Sequence, residues 1–246
     1  MRIRTFEERD RPALRQLALR AGQGSPTESL WGHPESEAQI YLDPYMDREP
    51  ESLFLAESDG ELIGYLTGCV DTDAFPGEDQ RIADAIRTHR LILRPRPVLF
   101  FARSAFDAAS AALRRTPAAG EIHDPRWPSH LHINVVPEAR GTGAADGLME
   151  HWFARLRSVG SPGCYLQTLV ENARAVRFFE RMGFAPHRID AAGAGAALPG
   201  QTSPPADHGP QLLTDSAAGL FPGRPRRVIV EYPAEQRNQG AAFRGG

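Results

Sequence analysis

The sequence predicts an α/β domain built on a mixed sheet. Short stretches in which apolar residues alternate with polar ones take turns with longer stretches in which they recur every three or four residues. One pair of strand-like runs is joined by Asp59-Gly60, a two-residue hairpin signal. The 246 residues are 41% hydrophobic, enough for a full core. Alternating strands and helices require crossovers between parallel strands, and the hairpin adds an antiparallel pair, so the sheet is mixed.

"RIRTF" (2–6) alternates and opens as a strand. "ERDRPALRQLALRAG" (8–22) follows as a helix, with Asp10 as its cap, Pro12 in its first turn and Leu14, Leu17 and Ala18 at helical spacing. The segment after it, "GQGSPTESLWGHPESEAQIYLDPYMD", reads as a loop. "SLFLAE" and "LIGYLTGCV" form the hairpin. Residues 75–128 interrupt the rhythm as a helical insertion of one or two amphipathic helices, "DQRIADAIRTHRLIL" and "ARSAFDAASAALRRT", separated by "RPRP". The alternation resumes with a strand at 130–136, a helix at 143–160, a strand at 164–170, a helix at 172–183 and a strand at 184–190. Residues 191–223 are rich in Gly, Ala and Pro and read as an inserted loop. "RRVIVEY" is a last strand. The expected organisation is one domain over 1–234 and a flexible tail over 235–246.

The formal charge of −3 gives no general attraction to nucleic acid or to an anionic membrane. All 28 basic residues are arginine. Cys69 and Cys164 have no ligand-like spacing around them, so neither a zinc site nor a disulfide framework is expected. The charged start has no apolar run of signal-peptide length, and no stretch is long enough to span a membrane. A cytoplasmic protein is the expectation.

Chemistry concentrates in "HLHINVVPEARGTGAADGLMEHWFARL" (130–156). A strand enters Arg140-Gly141-Thr142-Gly143-Ala144-Ala145, and an amphipathic helix leaves it. Glycines let a backbone turn tightly against a ligand, and the first N–H groups of a helix form an anion site. Arg140 adds a forked cation suited to phosphate. A nucleotide-triphosphate loop needs a lysine this chain does not have, and a dinucleotide fingerprint needs a small residue where Asp146 stands. The pyrophosphate of coenzyme A is the third candidate.

Pro137-x-x-Arg140-Gly141-x-Gly143-x-Ala145-x-x-Leu148, followed one strand later by Asn172-x-x-Ala175-x-x-x-Phe179-x-x-x-Gly183-Phe184, resembles the GNAT superfamily of N-acetyltransferases. "WPSHLHINVVPEARG" is also, more weakly, similar to the acetyltransferase-like domain of O-GlcNAc hydrolases and its bacterial relatives, with Asn134 where that branch carries an acid. The resemblance implies the GNAT fold, with acetyl-CoA as co-substrate and no metal. It implies that Arg140, Gly141, Thr142, Gly143, Ala144 and Ala145 hold the pyrophosphate. Asn172 and Phe179 complete the cofactor site, and the backbone of Val135 and Val136 pairs with the pantetheine arm and polarises the thioester.

His130, His132 and Asn134 share one face of their strand. Two readings remain open: the floor of an open acceptor cleft, or buried histidines with fixed partners. In the first, a histidine removes the proton of the attacking amine. His132 is favoured over His130, and Asn134 orients substrate or thioester. Glu121, His123 and Asp124 could join through water, and Trp127 could wall the pocket. Phe179 departs from the family's pattern, which places at that position the tyrosine that protonates the departing thiolate. The thiolate then leaves unaided, Tyr165 on the next strand substitutes, or the chain binds acyl-CoA without turnover. Glu28, Glu35, Glu37, Asp43 and Asp47 would suit a cationic acceptor. The 75–128 insertion would cover the acceptor site or form a homodimer interface. The expected activity is acetyl transfer to a small-molecule amine, an amino sugar, antibiotic or related metabolite, by direct transfer in a ternary complex. The alternatives are a non-catalytic acyl-CoA sensor and a protein N-acetyltransferase.

Overall fold

In the computed structural model, residues 1–22, 31–102, 106, 123–169, 172–190 and 227–233 are described. Their strands form one seven-stranded sheet in the order β1-β2-β3-β4-β5-β7-β6. β1 (Arg2–Thr5), β2 (Leu53–Ser58), β3 (Glu61–Cys69) and β4 (Ser129–Val135) make one antiparallel half. β5 (Gly163–Leu169), β6 (Ala185–Asp190) and β7 (Arg227–Pro233) make the other, with β7 between β5 and β6. The halves meet where β4 and β5 run parallel, so the sheet is mixed as expected. Asp59 and Gly60, both at positive φ, make the β2–β3 turn.

Helix α5 (Ala144–Ser158) is the crossover from β4 to β5, and its buried row of Leu148, Met149, Trp152, Phe153 and Leu156 lies on the sheet. Gly68 is what lets it come so close: a Cβ there would stand 2.2 Å from the Trp152 ring. Trp152 is therefore core, as its helical spacing implies. Because side chains alternate, Gly64, Leu66, Gly68, Leu131, Ile133 and Val135 share the face toward α5. Tyr65, Thr67, Cys69, His130, His132 and Asn134 share the opposite face. α1 (Arg11–Gly22) buries Leu14 and Leu17, and α6 (Ala173–Arg181) buries Ala175, Phe178 and Phe179.

The segment read as a loop after the first helix contains two helices, α2 (Pro34–Tyr41) and α3 (Asp43–Arg48). Both are short, and each begins with proline in its first turn, so their helical period is hard to see in sequence. α4 (Glu78–Thr88) ends earlier than expected, because Arg90 takes a left-handed conformation. "RPRP" lies between α4 and a second helical stretch and itself opens that stretch, over 95–102, earlier than expected, because proline is tolerated in a first turn. α4 packs on α2, and Trp31, Ile40, Ala85 and Leu91 form a second small core there. Most of the expected second insertion helix, the 191–223 loop and the 235–246 tail lie outside the described residues. No described helix is long and apolar enough to cross a membrane.

Candidate active site

β4 and β5 are paired only at Ser129↔Cys164 and His130↔Tyr165. β4 continues to Val135 beside β3, and β5 continues to Leu169 beside β7, so the two strands part beyond that point. The parted edge of β4 leads into the glycine turn. Gly141 and Gly143 have φ of +79° and +86°. A Cβ on Gly141 would meet nothing within 4 Å, and one on Gly143 only the Met1 side chain at 3.9 Å. The turn is therefore open at both glycines, and it lies at the N-terminus of a 15-residue helix. Arg140 is drawn below its ordinary pKa first by burial and then by the positive charge of Arg174, while Glu138 opposes the shift. Asp146, the acid that argued against a dinucleotide, turns to Arg181 at 3.3 Å. The Thr142 hydroxyl donates to Ala139 O at 2.7 Å.

Of the two backbone positions expected to hold the pantetheine arm, Val136 is corrected. Its N–H donates to Ile63 O at 2.9 Å and its carbonyl accepts from Ala139. N–H groups alternate edges along a strand, so the N–H of Val135 faces the parted side. Asn172 accepts from Ala175 N at 3.1 Å and so caps α6, a signal its place before the helix already carried. Phe179 is 1% exposed, its ring packed against Phe178 and Phe184.

The polar face of β4 is not an open floor. His130 and Asn134 are buried, and His132 is half-buried. Tyr45 of α3 places its hydroxyl 2.9 Å from His130 Nε2 and 2.9 Å from His132 Nε2. Thr72 Oγ1 lies 2.8 Å from His130 Nδ1. Burial, helped by the charges of His132 and Arg81, pushes His130 well below 6.5 and keeps it neutral. The second reading thus describes His130, whose ring nitrogens both have fixed partners. Asn134 Nδ2 donates to the Tyr65 hydroxyl at 3.0 Å, and burial pushes Tyr65 up to about 12. Asn134 Oδ1 and Thr67 Oγ1 are buried with no hydrogen-bond partner among the described residues. Thr67 stands directly opposite His132 across the strands, so both orphan atoms belong to the histidine face. Tyr165 is buried where the strands part, its ring 5.8 Å from that of His130.

Several outlying candidates have other partners. His123 pairs with Asp73 and Asp124 with Arg126, while Glu121 and Glu28 lie outside the described residues. Arg126 stacks over Trp127 at 4.1 Å. Asp43 and Asp47 tie α3 to α1 through Arg15 and Arg11, Glu37 accepts from Trp31 N, and Glu35 lies near His33. Tyr45, Thr72, Thr67 and Tyr65 were missed by sequence reasoning. The only available signal was that histidines on a covered strand need polar partners.

The family model of the acetyltransferase (GNAT) family matches residues 13–184. The chain belongs to the GNAT family of acetyltransferases, enzymes that use acetyl-CoA. A mycothiol acetyltransferase of Thermomonospora curvata is 26% identical over 189 residues, covering 76% of this chain and 45% of that protein. The chain thus spans less than half the length of that relative. The crystal structure of SsHAT superposes with a TM-score of 0.54 at 18% identity, covering 96% of this chain and 98% of that one. The structure of yncA from Salmonella typhimurium with its cofactor acetyl-CoA gives 0.52 at 13%, covering 96% and 94%. These likenesses carry the fold. Among the described residues no cluster of side chains could hold a metal.

Proposed function

We propose that this chain transfers the acetyl group of acetyl-CoA directly to the amine of a small molecule. The observation that carries the reading is the parting of β4 from β5 after His130, beside a histidine-bearing face and above an open glycine turn. Arg140, the N-terminus of α5 and the Gly141–Gly143 turn would hold the pyrophosphate, and Val135 N–H would polarise the thioester carbonyl. His132, the less buried histidine, takes the proton from the amine. Asn134 Oδ1 and Thr67 Oγ1 supply hydrogen-bonding capacity for a ligand N–H, since leaving such atoms buried and unpartnered is costly. The amine nitrogen then attacks the carbonyl carbon, the C–S bond breaks, and the thiol leaves as thiolate. A thiol pKa of about 8.5 makes that a fair leaving group, which is why Phe179 does not preclude turnover. Tyr165 is the nearest candidate to supply a proton instead.

A relative named for mycothiol supports a small-molecule acceptor over a protein. Release of free thiol from acetyl-CoA, measured across amino sugars, aminoglycosides and simple amines, tests the reading. Turnover of at least one amine, lost in His132→Ala with acetyl-CoA affinity retained, is expected. Acetyl-CoA binding with no turnover of any amine would make the chain a sensor.

A further inference from the structure

Four large apolar side chains stand in solvent between residues 92 and 99: Ile92 is 70% exposed, Leu93 73%, Val98 41% and Leu99 72%. Single exposed apolar residues are ordinary, but a cluster marks a surface that something covers. The fold explains why they face outward. Arg90, at φ +50°, turns the chain out of α4 into a 3-10 turn over Leu91–Leu93. Successive residues of such a turn point about 120° apart, so Leu91 enters the small core with Trp31, Ile40 and Ala85 while Ile92 and Leu93 do not. In the helical stretch over 95–102, Pro97 is buried, and Phe100 and Phe101 pack on Trp31. At about 100° per residue, Val98 and Leu99 lie on the opposite side of that stretch.

Arg94 and Arg96 lie between the two apolar pairs, and Arg90 precedes them. All three are exposed, and none has an ion pair among the described residues. Arg87, by contrast, is held by Asp84 at 2.7 Å. From 85 to 106 the sequence carries five arginines and no acid, in a chain whose net charge is −3. The overall charge thus hides a local cationic and apolar surface. We infer that this part of the insertion docks on an anionic lipid surface. Ile92, Leu93, Val98 and Leu99 enter the boundary between headgroups and acyl chains, and Arg90, Arg94 and Arg96 meet the lipid phosphates. Apolar side chains interleaved with cations are what that boundary accepts. A second copy of the chain fits worse, because a twofold contact would set these arginines against themselves. A stable protein interface also uses roughly 20–30 residues a side, more than this cluster offers. A nucleic acid would meet the arginines and leave the aliphatic side chains in water. No described helix is long and apolar enough to cross a membrane, so these residues lie on the surface rather than span it. The inference does not depend on the proposed reaction.

Sedimentation of the full chain with sucrose-loaded vesicles tests it, using phosphatidylcholine with or without an equal part of phosphatidylglycerol. Binding to the anionic vesicles should be at least about tenfold tighter than to the neutral ones and should weaken as salt is raised. The triple variant Arg90→Gln, Arg94→Gln, Arg96→Gln should lower vesicle affinity at least about tenfold, and so should Ile92→Ser, Leu93→Ser, Leu99→Ser. All six positions are exposed, so both variants should keep the wild-type melting temperature. Poly-glutamate and duplex DNA serve as comparison ligands. Equal binding to both kinds of vesicle, or vesicle binding untouched by the serine variant, overturns the inference. So does binding to poly-glutamate or DNA as tight as to vesicles, which would make the patch a plain polyanion site. A dimer in sedimentation velocity that the serine variant abolishes, with no vesicle binding, would overturn it in favour of a second copy.

Discussion

Replacing Gly68 with alanine tests how closely the sheet and α5 are fitted. The added methyl would stand 2.2, 2.6 and 2.7 Å from three atoms of the Trp152 ring. Carbon atoms in contact prefer about 3.5–4.0 Å, so the ring must retreat by more than an ångström. Trp152 is fully buried, in a row with the equally buried Leu148, Met149 and Leu156, and has nowhere to go. The cost should reach the upper end of the overpacking range, about 3 kcal/mol. For a chain of this size that lowers the melting temperature by about 6–12 °C. Gly147→Ala is the matched comparison. Its Cβ would meet Ile3 Cγ1 at 3.0 Å and Cδ1 at 3.3 Å, a far milder crowding by one partly buried side chain, and alanine gains up to about 1 kcal/mol of helix propensity. Thermal and urea unfolding of both variants checks the difference. Equal stability of the two would mean that Trp152 does not pack on β3 as described.

Three further outcomes are expected. Gly143→Val forces a side chain into positive φ at the mouth of the turn and should weaken acetyl-CoA binding at least about tenfold by calorimetry. Gly160→Ala, also at positive φ but at the far end of α5, should cost about 1–2 kcal/mol of stability without touching affinity. His130 is held neutral by burial, so below pH 6.5 the unfolded chain binds a proton that the folded chain refuses. Stability should be fully present above pH 6.5 and fall by up to about 1.4 kcal/mol per pH unit as acid is added, until the folded-state pKa is reached. Denaturant titrations between pH 7 and 5 should show that slope flattened in His130→Gln; an identical slope would refute it. Asn172→Ala removes the cap on α6 and should cost about 1 kcal/mol in the same unfolding assay, with no loss expected only if the Ala175 N–H finds another acceptor.

The features written in local order were legible in the chain itself. Strand alternation, the Asp59-Gly60 turn and the glycines before α5 depend on residues within one turn or one strand of each other. They sufficed for the mixed α/β sheet, for the glycine turn between β4 and α5 and for the shared face of His130, His132 and Asn134. The α2–α3 segment was not legible, because two helices of eight and six residues show too little periodicity to stand out.

What only the tertiary structure decided is what meets that face. Tyr45 is 85 residues from His130 in sequence, and Thr72 is 58 away. No spacing rule links side chains that meet only after the sheet has formed. Of the two readings the sequence left open, an acceptor floor and buried histidines with fixed partners, the fold gave His130 the second, within a chain of hydroxyls and imidazoles. It also separated two histidines that share one strand face, because burial and partners, unlike alternation, are properties of the packed chain.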